Sequence, residues 1–286
     1  MPSNCEVDIG LGALLISGLI AMALWGVACV QVYTYFIGSS SDRLLLKAMI
    51  ASLCVLTTFD SALVCHFLYY YLIMQFGNPL AMLSPFWSNA VHNAIRPVIG
   101  FILRTMFTHR VYILSDKSIR LTVWITVLSF TGFVAAVFVT ITGFGPFTSY
   151  QQAVEYLDLA AVTLANLSIT VSLCYLLHRS RTGFRRTNSV IRVLMMYTVN
   201  TGGIVTLGSS LSLVEAVTNF RGPSDILGSF AIILNGMYLN SYLASLNARE
   251  GIRNQFQTSG PVSVQSQFLS PMNFAPNSES TSLPRP

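Results

Sequence analysis

Seven side chains with chemistry to offer stand inside otherwise apolar stretches: Asp60, His66, Asn89, His92, Asn93, Arg96 and Asp158. Ionisable groups are costly in a hydrocarbon setting, so each marks either a functional site or a structural pair. Asn89, His92, Asn93 and Arg96 recur at spacings of three and four, which places them on one face of a helix. With Asp60 and Asp158 they offer donors, acceptors and both signs of charge, the equipment for binding a small polar ligand. Covalent chemistry lacks its usual parts: there is no Gly-x-Ser-x-Gly elbow, phosphate-binding loop or dinucleotide fingerprint. A retinal Schiff base needs a lysine in the last helix, and the only lysines are Lys47 and Lys117. A catalytic zinc needs about three converging ligands, but roughly 20 Å or more of helix rise separates His66 and His92 from His109 and His178. The adjacent Cys65 and His66 diverge on a helix. No metal or cofactor is therefore expected. Asp60, Glu155, Asp158 and Glu215 are the acids available as proton donors to a lipophilic substrate, yet no spacing among them supports an enzyme mechanism.

The elements that must position these groups follow from composition. Of 286 residues, 53% are hydrophobic and 9% charged, with a mean hydropathy of +0.61. A soluble domain carries roughly a quarter charged residues. The composition excludes a water-soluble globule, a collagen, a disulfide mini-protein and a nucleic-acid binder, and leaves an all-α polytopic membrane protein. A hydrocarbon core of roughly 30 Å takes about 20 apolar residues of helix. Seven such runs are present, at approximately 9–37, 44–73, 86–113, 119–143, 153–177, 191–217 and 225–247. Turn chemistry separates them, as in Phe76-Gly-Asn-Pro79 and Gly143-Phe-Gly-Pro146.

Of the sixteen lysines and arginines, all but Arg96 and Arg221 fall on one side of this arrangement. Arg43 and Lys47 flank the first loop, Arg104, Arg110, Lys117 and Arg120 the third, and Arg179, Arg181, Arg185, Arg186 and Arg192 the fifth, with Arg249, Arg253 and Arg285 at the end. By the positive-inside rule the N-terminus is outside and the C-terminus cytoplasmic. The third run is too polar to insert alone, but leaving it outside would turn the fifth-loop arginines outward, so seven crossings fit better than six. The expected domains are a short extracellular segment 1–8, a seven-helix domain 9–250, and a disordered cytoplasmic tail 251–286 rich in Ser, Pro, Gln and Asn. Glu6 and Asp8, with no base before them, are unlike the start of a cleavable signal peptide, so the first run is expected to stay. Cys29, Cys54, Cys65 and Cys174 lie inside apolar runs and propose no disulfide framework.

Depth refines the polar set. Asp60 lies about 24 Å from the cytoplasmic end of the second run, and Arg96 about 15 Å inward from the outer end of the third. The short Gly-Asn-Pro turn makes those two helices antiparallel neighbours, so Asp60 is expected to pair with Arg96, with Asp158 the second choice for the arginine. Pro97 removes a backbone donor beside them and frees a carbonyl. Asn240 and Asn247, seven apart, share a face suited to interhelical hydrogen bonds. Arg110 reads as a positive-inside anchor. The basic stretch of Arg179, Arg181, Arg185 and Arg186 suits anionic lipid headgroups at about 1 kcal/mol per base, or a cytosolic partner.

Several ordered segments are distinctive. Ser172-Leu-Cys-Tyr-Leu-Leu-His-Arg-Ser-Arg-Thr-Gly-Phe-Arg-Arg-Thr-Asn-Ser-Val-Ile191 is followed by Tyr197-Thr-Val-Asn-Thr-Gly202 and by Tyr238-Leu-Asn-Ser-Tyr-Leu-Ala-Ser-Leu-Asn-Ala-Arg-Glu250. Earlier stand Val30-Gln-Val-Tyr-Thr-Tyr-Phe36, Phe59-Asp-Ser-Ala-Leu-Val-Cys-His66 and Arg110-Val-Tyr112. Over about residues 10–250 the chain resembles an uncharacterised seven-span membrane family abundant in mushroom-forming (basidiomycete) fungi. The resemblance implies the seven-helix architecture and carries no activity, substrate or catalytic residue. The function expected from the residues is a receptor-like or sensor protein with a polar pocket among its helices, in the plasma membrane or an endomembrane. A transporter or channel for a small solute is the alternative, and a membrane-embedded enzyme ranks last.

Overall fold

The computed structural model describes residues 4–38, 44–76, 86–115, 117–142, 149–179, 202–211, 213–214 and 226–258. Among them seven helices follow one another: α1 (Asn4–Gly38), α2 (Leu44–Tyr69), α3 (Trp87–Leu114), α4 (Ile119–Thr142), α5 (Ser149–Arg179), α6 (Gly202–Leu211) and α7 (Ile226–Thr258). The chain divides into a unit Met1–Glu250 and a second, Gly251–Pro286. Helix α1 begins at Asn4 and α7 continues to Thr258. Residues 77–79, 143–146 and 191–201 lie outside the described residues.

Four helices are long and apolar enough to cross a membrane: Gly10–Gly38, Leu44–Met74, Ile119–Thr142 and Tyr150–Arg179. Their outer faces are made of large apolar side chains, with Tyr33, Val55 and Ile141 each 69% exposed. Hydroxyls on these and the neighbouring helices close on their own backbone, since hydrocarbon gives them no other partner. Thr34 donates to the Val30 carbonyl at 2.9 Å, Thr57 to Leu53 at 2.8 Å and Thr126 to Thr122 at 2.8 Å.

Helix ends are set by local geometry. Helix α2 finishes in a π-turn, Tyr70–Met74, closed by the Gln75 amide on the Tyr70 carbonyl at 3.0 Å. Helix α3 stops where Lys117 takes φ 65° and its amide donates to the Tyr112 carbonyl at 3.1 Å. That left-handed position turns the chain into α4. At the other end of α4, Gln151 donates to the orphan carbonyl of Thr142 at 2.5 Å and so joins α4 to α5.

The contacts between helices give each its direction. Trp25 bonds Thr58 at 3.1 Å while Met22 meets Cys65, so α1 and α2 are antiparallel. Asp60 meets His92 while Tyr71 meets Phe86, Phe101 meets Phe130 while Asn93 meets Thr140, and Asn166 meets Ser209 while Thr170 meets Gly202. These pairs make α2 with α3, α3 with α4, and α5 with α6 antiparallel. Against Gly132 stand Asp158 and Val162, which with the Thr142–Gln151 bond makes α4 and α5 antiparallel too.

Helix α7 runs the other way round. Asn240 donates to the Leu24 carbonyl and Asn247 to the Gln31 carbonyl, both at 2.9 Å. The same separation in sequence, 216 residues, holds for both bonds, so α1 and α7 are parallel and in phase. Gly236 lets them approach, since a Cβ there would stand 3.2 Å from Leu24 Cβ. The interhelical role expected for Asn240 and Asn247 is thus the one they fill. Helix α7 is parallel to α3 as well: Asn235 bonds the Arg96 carbonyl at 3.1 Å, and Arg110 bonds Ser245.

Helix α3 falls outside the four span-capable helices because its sequence is polar. Its neighbours α2, α4, α5 and α7 cover it, burying Ser88, His92, Arg104 and Thr108.

Interhelical hydrogen bonds in membrane proteins average about 0.6 kcal/mol. Asn240→Leu and Asn247→Leu are each expected to lower unfolding free energy in bicelles by about that amount, with the double variant close to additive because the sites lie two turns apart. No loss in either would show that α1 and α7 are held by packing alone.

Candidate functional site

The polar side chains read from the sequence separate into two layers along α3. The outer layer joins α2 to α3 through Asp60 and His92, with Nδ1 and Oδ1 2.7 Å apart. This corrects the expected pairing with Arg96. Around α3, His92 is the residue that faces α2, one turn N-terminal to Arg96. The His92 ring packs on Phe67 at 5.6 Å and its Nε2 is buried without a hydrogen-bond partner.

His66 does not join this pair. It is exposed beside an aromatic cluster in which it lies 5.5 Å from Phe86 and 5.0 Å from Trp87, while Tyr70 stacks on Phe86 at 3.8 Å. The π-turn beginning at Tyr70 also brings the Tyr71 hydroxyl to accept from the Phe86 amide at 3.3 Å. Asn89 and Asn93 face each other along α3 at 3.4 Å, and the Asn93 side chain is exposed. The face of four polar residues is therefore divided. Pro97 acts as expected: it has no N–H for the Asn93 carbonyl, and Thr140 of α4 stands 3.4 Å from that oxygen instead.

The inner layer lies between α3, α4, α5 and α7. On α3, Arg96, Gly100 and Arg104 recur every fourth residue. A helical side chain leans toward the N-terminus, so the Arg104 guanidinium lies over Gly100, where a Cβ would come 3.4 Å from its Nη1. The same Cβ would stand 3.5 Å from Asn235 Oδ1 of α7. Helix α5 contributes Asp158, which interacts electrostatically with Arg104 and Arg96 as well as with Glu155 one turn away. Room for its carboxylate comes from Gly132 of α4, whose Cβ would lie 3.4 Å from Asp158 Oδ1 and 2.8 Å from Val162 Cγ2. Tyr238 of α7 completes the electrostatic neighbours of Arg104.

Arg96, Arg104 and Asp158 stand beyond ion-pair distance of one another; among the described residues that distance is reached by Asp60 and His92. Arg104 and Tyr238 are each 7% exposed, and Arg104 Nε, Asp158 Oδ1, Tyr238 Oη and Ser129 Oγ are buried with no hydrogen-bond partner. An arginine or aspartate at the centre of a helix in a bilayer costs about 2.5–3.5 kcal/mol on insertion scales, so this layer holds unsatisfied binding capacity.

Arg104 corrects the sequence reading, which counts it among the cytoplasmic loop bases. It lies ten residues before the α3 terminus at Leu114, about 15 Å inward. The four-residue spacing from Arg96 is the signal that marks it. Arg110 is also more than an anchor. It bonds Ser245 and the Tyr242 carbonyl, the latter at 3.3 Å, and lies 3.8 Å over the Tyr242 ring, fastening α3 to α7. Arg179 is the exposed last residue of α5, whereas Arg181, Arg185, Arg186 and Glu215 lie outside the described residues. Among the described residues no three His, Cys, Asp or Glu side chains stand together as metal ligands.

Residues 162–251 match the model of a family of unknown function, DUF6534. The match covers α5 from Val162, the whole of α6 and α7 as far as Gly251, and begins after Asp158. No curated protein matches the chain. This similarity and the span-capable helices are consistent with a membrane protein of unknown activity.

A double-mutant cycle tests the outer pair. Asp60→Asn and His92→Asn should each reduce stability and show a coupling of about 0.5–3 kcal/mol. The same cycle run with Asp60→Asn and Arg96→Leu should return none. Coupling to Arg96 in place of His92 would reverse the assignment.

Proposed function

We propose that this chain is a multi-pass membrane protein of receptor or sensor type, whose seven helices cross the bilayer with the N-terminus outside and the C-terminus cytoplasmic, and which takes a small ligand between α3, α4, α5 and α7. The observation that carries this reading is the inner layer, where Arg104, Asp158 and Tyr238 sit inside the bundle with hydrogen-bonding capacity unused. The alternation of helix directions, with α1 and α7 parallel, supports an odd number of crossings. The distribution of bases supports the orientation. On the cytoplasmic side, Arg179, Arg181, Arg185 and Arg186 would meet anionic headgroups or a cytosolic partner. The outer residues Asp60, His66, Asn89, His92 and Asn93 act in this reading as the support above the pocket, and Arg96 and Asp158 as part of it.

One observation favours the second reading, a solute transporter. Along α3 the positions Ser88, His92, Arg96, Gly100, Arg104 and Thr108 succeed one another every four residues, a polar ladder along most of the helix. Inverted repeats, which many transporters carry, are not evident in the sequence.

A reporter fused after Glu250 should be cytoplasmic and an epitope placed before Asp8 accessible from outside; both ends on one side would end the seven-span reading. Ser129→Cys, in a chain with its other cysteines replaced, should react with a small water-soluble thiol reagent from one side of the membrane. Reaction from either side in turn supports transport, and reaction from neither removes the pocket.

A further inference from the structure

The turn from α3 to α4 sets charge above apolar surface. From His109 to Arg120 the sequence holds three bases, Arg110, Lys117 and Arg120, against one acid, Asp116. Arg110 is committed to α7 through Ser245 and Tyr242, whereas Lys117 and Arg120 are exposed. Arg120, Val123, Trp124 and Val127 recur at spacings of three and four, which places them on one face of α4. That face is uncovered: Val123, Trp124 and Val127 are 52%, 57% and 55% exposed. Helix α4 is long and apolar enough to cross a membrane, so its first turn stands at the edge of the hydrocarbon and this face runs inward from there. Lys117 holds its place at a backbone cost. Its φ of 65° lies in the left-handed region, which glycine enters freely and a residue with a Cβ does not. The turn is closed by backbone alone, the Lys117 amide on the Tyr112 carbonyl at 3.1 Å and the Ser118 amide on Ser115 at 3.2 Å. A glycine would make both bonds without the strain. What lysine brings to the turn is its ammonium group, three residues before Arg120.

We infer that an anionic phospholipid binds at this turn, its phosphate held by the Lys117 ammonium and the Arg120 guanidinium and one acyl chain lying along Val123, Trp124 and Val127. The site is independent of the pocket proposed above. Arginine offers paired donors to phosphate oxygens and lysine a compact charge. A zwitterionic lipid would bring an ammonium group of its own beside these two bases. A soluble phosphate would leave the apolar face below them unused. An anionic lipid answers both halves, with charge at the edge and a chain beneath it. Trp124 lies about 7.5 Å along α4 from Ile119, in the interfacial zone that tryptophan favours. Anionic lipids are concentrated in the cytoplasmic leaflet, where the proposed topology sets this turn.

Trp124 fluorescence reads the site. The full chain carrying Trp25→Phe and Trp87→Phe is placed in nanodiscs of mixed phosphatidylglycerol and phosphatidylcholine, with bromine on the acyl chains of one lipid or the other, so that the brominated lipid quenches Trp124 when it lies alongside. Phosphatidylglycerol is expected to be preferred by about thirtyfold, about fivefold from each base. Arg120→Gln and Lys117→Gly should each lower the preference by about fivefold, and together abolish it. Equal quenching by the two lipids overturns the site. So does a preference that both variants leave intact, which would be the effect of surface charge at large. Loss of the preference on adding soluble glycerol 3-phosphate would show a phosphate site that needs no chain, and overturns the lipid. Because the tryptophan replacements can disturb folding, Tm of the unaltered chain is measured in discs of each lipid. Phosphatidylglycerol should raise it and Arg120→Gln should remove most of the rise; no rise overturns the proposal. Lys117→Gly should raise Tm in phosphatidylcholine, by release of the left-handed strain, and gain less from phosphatidylglycerol. A fall in phosphatidylcholine would give the lysine a part in folding itself and overturn its assignment to the lipid.

Discussion

The arrangement depends on keeping the polar side of α3 out of hydrocarbon. A helix bearing three arginines, two histidines and two asparagines cannot be surrounded by lipid. Neighbours must cover it, and they do so with little polarity to spare on their outer faces. Helices α2, α4 and α5 present large apolar side chains outward and bring polar groups to α3: Asp60 at His92, Thr140 at the Asn93 carbonyl, Asp158 toward Arg104. Helix α7 brings Asn235 and Ser245 to the same helix and turns Asn240 and Asn247 away from it, to α1. A helix with charge to hide organises the neighbours that cover it.

The two layers treat buried charge differently. In the outer layer one hydrogen joins Asp60 and His92 at 2.7 Å, and aromatic rings pack around the pair. Such a pair fixes which residues of α2 and α3 stand level. In the inner layer Arg104 and Asp158 remain apart, Arg104 packed over Gly100 of α3 and Asp158 against Gly132 of α4. Fixing helix register calls for groups that meet. Groups held short of meeting are what a bound molecule can use, which is why the proposed function rests on the inner layer.

Much of the architecture is legible in the sequence because a run of apolar residues long enough to cross hydrocarbon is a local signal. The expected run 119–143 and the helix Ile119–Thr142 nearly coincide, as do 44–73 and Leu44–Met74. The seven-residue spacing of Asn240 and Asn247 likewise foretells a shared face and bonds to another helix. The partner of Asp60 is not legible in this way. Choosing between His92 and Arg96 requires knowing the rotation of α3 to within one turn, and both residues have the right chemistry. Arg104 is missed because counting bases by side treats every arginine near a helix end as a loop charge, and only depth within α3 distinguishes it. Asn235 and Tyr238 join the inner layer through the packing of α7 against α3, a contact between segments more than a hundred residues apart that no local pattern encodes.

The in-phase bonds between α1 and α7 also bear on how the molecule is made. Chains are synthesised from the N-terminus, so α1 leaves the ribosome well before the helix that accepts its company. Until α7 arrives, the Leu24 and Gln31 carbonyls lack the asparagines that later bond them, and the side of α3 destined for Asn235 and Ser245 lies open. Closure of the bundle is therefore a late event that joins an earlier part of the chain to a later one. A cell's quality control would meet the nascent protein in that unclosed form, with the arginines of α3 uncovered on one flank, and the arrival of α7 would mark the end of its exposure.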